Sequence, residues 1–208
     1  MPRRNNNNIV VRTIDEFLRP KDFVPYRNAW YSTLPETILV VALDKSNWGL
    51  CYYLYFGVLV RQLSPLQTPK VNECHIYQRL ESILNERQPG EGHVQTLPEP
   101  EPTSDSFVDQ IRRNPLSPIA VDANNPEFFS TKGFVTPNIA RALDLDDHSF
   151  TDEQRVAQIK ENLCKYGLPF LAELDSLEKM RNTLLNRSLA TIFVRRNLRD
   201  LLGIATPR

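Results

Sequence analysis

Thr37 to Arg61 reads TILVVALDKSNWGLCYYLYFGVLVR, and this stretch decides the fold. Thr37 to Leu43 is a run of β-branched and aliphatic residues, which pack well on a pleated surface. Asp44-Lys45-Ser46-Asn47-Trp48-Gly49 then supplies turn chemistry, because Asp, Ser and Asn bond their own backbone and Gly relaxes the chain. Beyond the turn the period is two. Leu50, Tyr52, Leu54, Phe56, Val58 and Val60 fall on one face, and Cys51, Tyr53, Tyr55, Gly57, Leu59 and Arg61 on the other. Two such runs around a polar turn predict an antiparallel hairpin.

Upstream, Val10, Ile14, Phe17 and Leu18 recur at helical spacing, with Asn8 placed to cap and Pro20 to stop the turn. This predicts a helix over Ile9 to Arg19, followed by β-prone Trp30-Tyr31-Ser32-Thr33. Downstream, Glu73 to Arg79 alternates as a strand and runs into a short helix through Leu80, Ile83 and Leu84. Ser104-Asp105 opens a further helix through Phe107, Val108 and Ile111 that ends at Pro115, and Ile119 to Val121 reads as a weak strand. Thr151-Asp152-Glu153-Gln154 has the form of a capping box, in which two orphan amides are satisfied reciprocally. Val156, Ile159 and Leu163 share the face that follows, and Tyr166-Gly167 with Pro169 reads as the stop. Phe170 to Leu174 forms a helical turn, Ser176 is a second cap, and Leu177, Met180, Leu184 and Leu185 make a stripe resumed by Leu189, Ile192, Phe193, Leu201 and Leu202.

Strands early and helices late give the α+β class: an antiparallel sheet with helices packed on one face and a helical C-terminal region. The division expected is a flexible tail over 1–8, an α+β sheet region over 9–86, a Pro-rich loop over 87–103 and a mainly helical region over 104–208, packed as one domain. The loop rests on Pro89, Pro98, Pro100 and Pro102 among Glu99, Glu101, Thr103 and Ser104, a polar stretch without periodicity.

The bulk composition narrows the function. In 208 residues, 25 basic and 25 acidic side chains cancel, which argues against a nucleic-acid binder with a basic stripe. No apolar core follows Arg3 and Arg4, and the run Leu50 to Val60 is too short for a membrane helix. Cys51, Cys74 and Cys164 are odd in number and lack CxxC spacing, so they read as free thiols in a reducing cytoplasm rather than a disulfide framework.

The order Phe23, Asn28-Ala29-Trp30-Tyr31, Val40 to Gly49, then Tyr52-Tyr53-Leu54-Tyr55-Phe56-Gly57-Val58 resembles the bacterial domain of unknown function 4304 family. His75 with Arg79-Leu80 fits the same pattern, as does Tyr166 to Leu171 before Ser176-Leu177. The resemblance covers about the first eighty residues and a short piece near Gly167. It implies the fold and a cytosolic setting and carries no activity, cofactor or site residue.

The hairpin turn and its neighbours gather Asp44, Lys45, Trp48, Tyr53, Tyr55, Arg61, His75, Tyr77 and Arg79, and the candidate binding residues among them are Lys45, Trp48, Tyr53, Tyr55 and Arg79, an aromatic and cationic set of the kinds enriched at interface hot spots. The competing reading packs the tyrosines beneath the Pro-rich loop or a second helical layer. Arg195 and Arg199 share a helix face as an anion site, against a solvated face in which Arg196 pairs with Asp200. Asp144, Asp146, Asp147 and His148 have carboxylates for a cation but lack calcium-loop spacing, and an acidic turn there favours the helix opening at Thr151. Cys74 and His75 are adjacent in a strand and point to opposite faces, so they form no catalytic pair. No metal site, cofactor motif or nucleotide-cradling Gly-rich loop is read.

Three function classes follow. The preferred one is a non-catalytic protein-binding module, immunity- or antitoxin-like, using the sheet face and the Pro-rich loop. The second is an enzyme or binder for a phosphorylated or nucleic-acid ligand, with Lys45, Arg79 and the late arginines as anion holders and His75 or an aspartate as base. The third is a structural accessory domain.

Overall fold

The computed structural model describes residues 8–47, 49–87, 138–186 and 193–204. All lie in one compact unit formed by 1–87 and 136–208. The Pro-rich stretch and the elements expected near 104–115 and 119–121 lie outside the described residues.

Helix α1 (Ile9–Leu18) is amphipathic, with Val10, Ile14 and Leu18 fully buried, and Asn8 caps it by accepting from the Val10 and Val11 amides. A short 3-10 turn at Arg19–Lys21 leads to strands β1 (Val24–Tyr26), β2 (Ala29–Thr33), β3 (Thr37–Lys45) and β4 (Tyr52–Val60). A 3-10 turn at Val71–Glu73 precedes β5 (Ile76–Arg79) and helix α2 (Leu80–Arg87). Next come α3 (Asn138–Ala142), α4 (Asp152–Asn162), α5 (Leu168–Ala172) and α6 (Leu177–Asn186), then β6 (Phe193–Val194) and α7 (Arg196–Leu202).

The described strands form a six-stranded sheet in the order β1-β2-β3-β4-β5-β6, every neighbouring pair antiparallel. Register sorts its residues into cross-strand rows. Trp30, Val41, Phe56 and Gln78 make one row, and Ser32, Leu39, Val58, Ile76 and Val194 another. Both face the helices, where α1, α2 and the C-terminal helices close the main core over Phe56 and Phe170, whose rings meet edge to face at 6.5 Å. The Trp30 indole donates to Asp15 Oδ1 at 2.9 Å, so α1 is fixed to β2 by a polar contact as well as by burial.

Several expectations need correction. Pro169 and Gly167 do not stop the helix: α4 passes through a π turn at Leu163–Gly167 into α5. Gly167 has an ordinary helical φ of −66°, so what it supplies is the missing Cβ, which would collide with the Phe56 ring. Phe193 does not continue a helical stripe but lies in β6, pairing with Tyr77 at the sheet edge. The strand expected from Glu73 begins only at Ile76, and β1, which contains Pro25, is an element the sequence reading lacks. An edge strand tolerates that proline, since its outer side needs no ladder donor. The capping box is as expected: the Thr151 hydroxyl accepts from the Gln154 amide at 3.2 Å while Gln154 Oε1 accepts from the Thr151 amide at 2.9 Å.

Candidate functional site

The other sheet face carries different chemistry. Its rows are Tyr31, Val40, Gly57, Tyr77 and Phe193; Ala29, Ala42, Tyr55 and Arg79; and Asp44 with Tyr53. One half of this face is roofed. Gly57 lets the 3-10 segment lie directly on the sheet, for a Cβ there would stand 2.8 Å from Cys74 Sγ, and the Tyr31 hydroxyl donates to the Pro69 carbonyl at 3.1 Å.

Where the roof ends, a cleft of about 700 Å3 opens over the sheet. Its floor is Ala29, Ala42, Tyr55 and Tyr77, and its depth comes from two alanines standing between tyrosines. The β1–β2 turn (Tyr26, Arg27, Asn28) and the loop residues Thr68, Lys70, Asn72 and Glu73 form its walls, and Asp44 stands at its rim. Rings and charges interlock along its edge on the same face. The Arg79 guanidinium lies 4.3 Å from the Tyr53 ring centroid and 5.9 Å from that of Tyr55, and its NH2 reaches Glu81 Oε1 at 3.2 Å. Tyr77 and Phe193 pack at 4.6 Å. Burial pushes the Tyr55 hydroxyl pKa up; the Arg79 charge opposes this, and the Asp44 and Glu81 carboxylates add to it.

Of the residues expected to bind, Tyr53, Tyr55 and Arg79 come together, half-buried on this one face. Lys45 does not join them. It pairs with Tyr52, one residue out of phase, on the side whose Tyr52 hydroxyl accepts from Asn8 Nδ2 at 2.6 Å. Trp48 lies outside the described residues. Tyr77, gathered with this surface from its alternation with Arg79, lies on it too. Phe193 and the two alanines were missed, and Phe193 is brought in by tertiary pairing alone.

The anion and base candidates have other roles. Arg195 precedes α7 rather than lying near its end, and its Nε and NH2 donate to the carbonyls of Cys74 and Asn72 at 3.0 and 2.6 Å. It clamps the roofing segment to β6. His75 is buried, its Nδ1 accepting the Val60 amide at 3.0 Å, and burial together with the Arg195 charge lowers its pKa. That lone pair is unavailable to a substrate proton. Burial drives the Cys74 thiol up to about 12, away from nucleophilic use.

The acidic turn is a splint. Asp146 Oδ2 accepts from the Leu50 amide, and Asp144 Oδ1 from the Asp146 amide. Asp147 bonds Ser149 and Arg141, which hold its carboxyl down at about 2. Buried Arg155 donates to the carbonyls of Arg141, Ala142, Asp144 and Asp147 and so caps α3. Among the described residues no group of three or more His, Cys, Asp or Glu is placed to hold a metal ion, and no helix is long and apolar enough to cross a membrane.

The model of the family described as "Domain of unknown function (DUF4304)" matches residues 14–120, a little over half of the chain. The chain belongs to the DUF4304 family. No curated protein and no solved structure matches it. The DUF4304 match takes in β1 to β5 and therefore every residue lining the cleft. The acidic turn, Arg195 and Phe193 fall outside it.

Proposed function

We propose that this DUF4304 chain is a non-catalytic protein-binding module of the bacterial cytoplasm, which receives a partner chain on the sheet face opposite its helices. An immunity- or antitoxin-like inhibitor is a role of this kind. The observation that carries the reading is the juxtaposition of Tyr53, Tyr55, Tyr77, Phe193 and Arg79 on that face, where Tyr55 and Tyr77 also line the cleft. Tyr and Arg combine large contact area with few rotatable bonds per hydrogen bond made, and they dominate interface energetics. The half-burial of Tyr53, Tyr55 and Tyr77 supports the same reading, because partly covered rings are already ordered and lose little entropy on docking. The roles of His75, Cys74 and Arg195 in holding the fold also favour binding over catalysis.

The test is affinity capture from the native cell with the full chain and with a Tyr55→Ala, Tyr77→Ala variant shown by circular dichroism to be folded. The captured protein is then purified and titrated against both. A stoichiometric complex formed by the wild type and weakened at least about tenfold in the variant, as loss of one hot-spot aromatic gives, supports the module. Equal binding by both proteins removes this face from the proposal.

A further inference from the structure

Resting on that docking reading, the charges around the cleft narrow the partner's chemistry. Of the cations around the cleft, Arg79 stacks on Tyr53 and pairs with Glu81, Arg27 lies 5.3 Å from the Tyr26 ring centroid, and Lys70 belongs to the loop wall, where its backbone amide donates to Glu73 Oε2. At the rim, Asp44 is exposed, directly across from Tyr53 in register and diagonal to Tyr55, and it makes no ion pair among the described residues. The Tyr55 hydroxyl lies in the field of two carboxylates, Asp44 and Glu81, against the single guanidinium of Arg79. This end of the cleft thus sets an exposed carboxylate without an ion pair among the described residues beside an aromatic ring.

The chain shows how such a surface is filled. Arg79 is a guanidinium laid over a tyrosine ring with a carboxylate at its edge. Asp44 stands diagonal to Tyr55 in register, and the Arg79 guanidinium reaches that ring only at 5.9 Å, against 4.3 Å for Tyr53, which leaves most of the ring open beside the carboxylate. A cation over a tyrosine face is held by the ring quadrupole, and a partly desolvated carboxylate strengthens the hold.

We infer that the Asp44 end of the cleft receives a basic side chain of the docking partner, a lysine ammonium or an arginine guanidinium, held between the Asp44 carboxylate and the Tyr55 ring. An acidic segment is disfavoured by Asp44 and Glu81, and a purely apolar one would leave Asp44 covered and unpaired.

The experiment titrates the full chain with three short capped peptides that differ only in a central Arg, norleucine or Glu, followed by the NMR shifts of the Asp44 carboxyl and the Tyr55 ring. The Arg peptide is expected to give saturable shifts at both groups, weakening with salt, and Asp44→Asn to reduce its affinity by about threefold to fivefold, the scale of one partly exposed ion pair. Equal binding of the norleucine or Glu peptide, no binding of the Arg peptide, or an unchanged Asp44→Asn variant overturns the inference. None of these outcomes touches the docking reading, which fails separately if partner capture survives Tyr55→Ala, Tyr77→Ala.

Discussion

Strand β4 presents two surfaces that obey different rules. Toward the helices it shows Leu54, Phe56, Val58 and Val60, all fully buried against aliphatic side chains. On the other face it shows Tyr53 and Tyr55, whose rings stay half-covered within reach of charges, and then Gly57 and Leu59, which are buried. The first face is therefore expected to carry most of the strand's stability, and the proposal assigns recognition to the second. Substitutions that differ by one position along the strand test that division.

The largest effect is expected at Phe56. Phe56→Ala removes a fully buried ring from contact with Phe170 and Gly167 and costs about 3–5 kcal/mol, read as a fall in the urea midpoint. Tyr55→Ala, its neighbour, costs about 1 kcal/mol or less in stability and shows its effect in partner binding. If the two variants lose equal stability, the two faces are equally structural and the comparison breaks.

The two glycines on either side of β4 sharpen it. At Gly167 a Cβ would meet the buried Phe56 ring from a helix packed on the sheet, whereas at Gly57 it would meet Cys74 and Val71 of a surface segment. Overpacking is worst where neither side can move. Gly167→Ala is expected to cost about 2–3 kcal/mol and Gly57→Ala about 1–2 kcal/mol, measured by denaturant unfolding. Gly57→Ala should also displace the cleft wall and weaken partner binding, while Gly167→Ala leaves affinity unchanged in the folded fraction.

His75 joins the roofing segment to the edge of β4, and its contribution depends on pH. Its folded pKa lies below the ordinary 6.5, so as pH falls through 6.5 the unfolded chain takes up the proton first. Stability is then full above 6.5 and is lost between 6.5 and the lower folded value. Urea unfolding across that window should show this slope in the wild type and lose it in His75→Gln. A slope unchanged in the variant would assign it to carboxylates instead.

The hairpin was legible because a period of two over Leu50 to Val60 leaves a strand one way to bury its apolar side. The caps at Asn8 and Thr151 were legible because they are local hydrogen bonds between residues two or three apart. What escaped is long-range. Nothing near Phe193 announces that two residues will pair with β5 across more than a hundred positions, and nothing near Arg195 announces that its guanidinium will seek the carbonyls of Asn72 and Cys74. Gly167 misled because Gly before Pro usually ends a helix by freeing φ, whereas here the demand is for room against a ring on another element. The site was half legible for the same reason: alternation gathered Tyr53, Tyr55 and Arg79, but the alanine floor and the loop walls exist only once the sheet is assembled.

Lys45 gives the smallest expected effect. Composition places it with the binding residues, but it lies one position out of phase with Asp44 and pairs with Tyr52 on the helix side. It is exposed, and Lys45→Ala should change stability by less than about 0.5 kcal/mol. It should also leave partner affinity intact, while Asp44→Asn, the adjacent residue, lowers it. Loss of binding in Lys45→Ala would mean that the partner reaches around the hairpin tip to both faces, so that strand alternation no longer separates the surface that folds from the surface that binds.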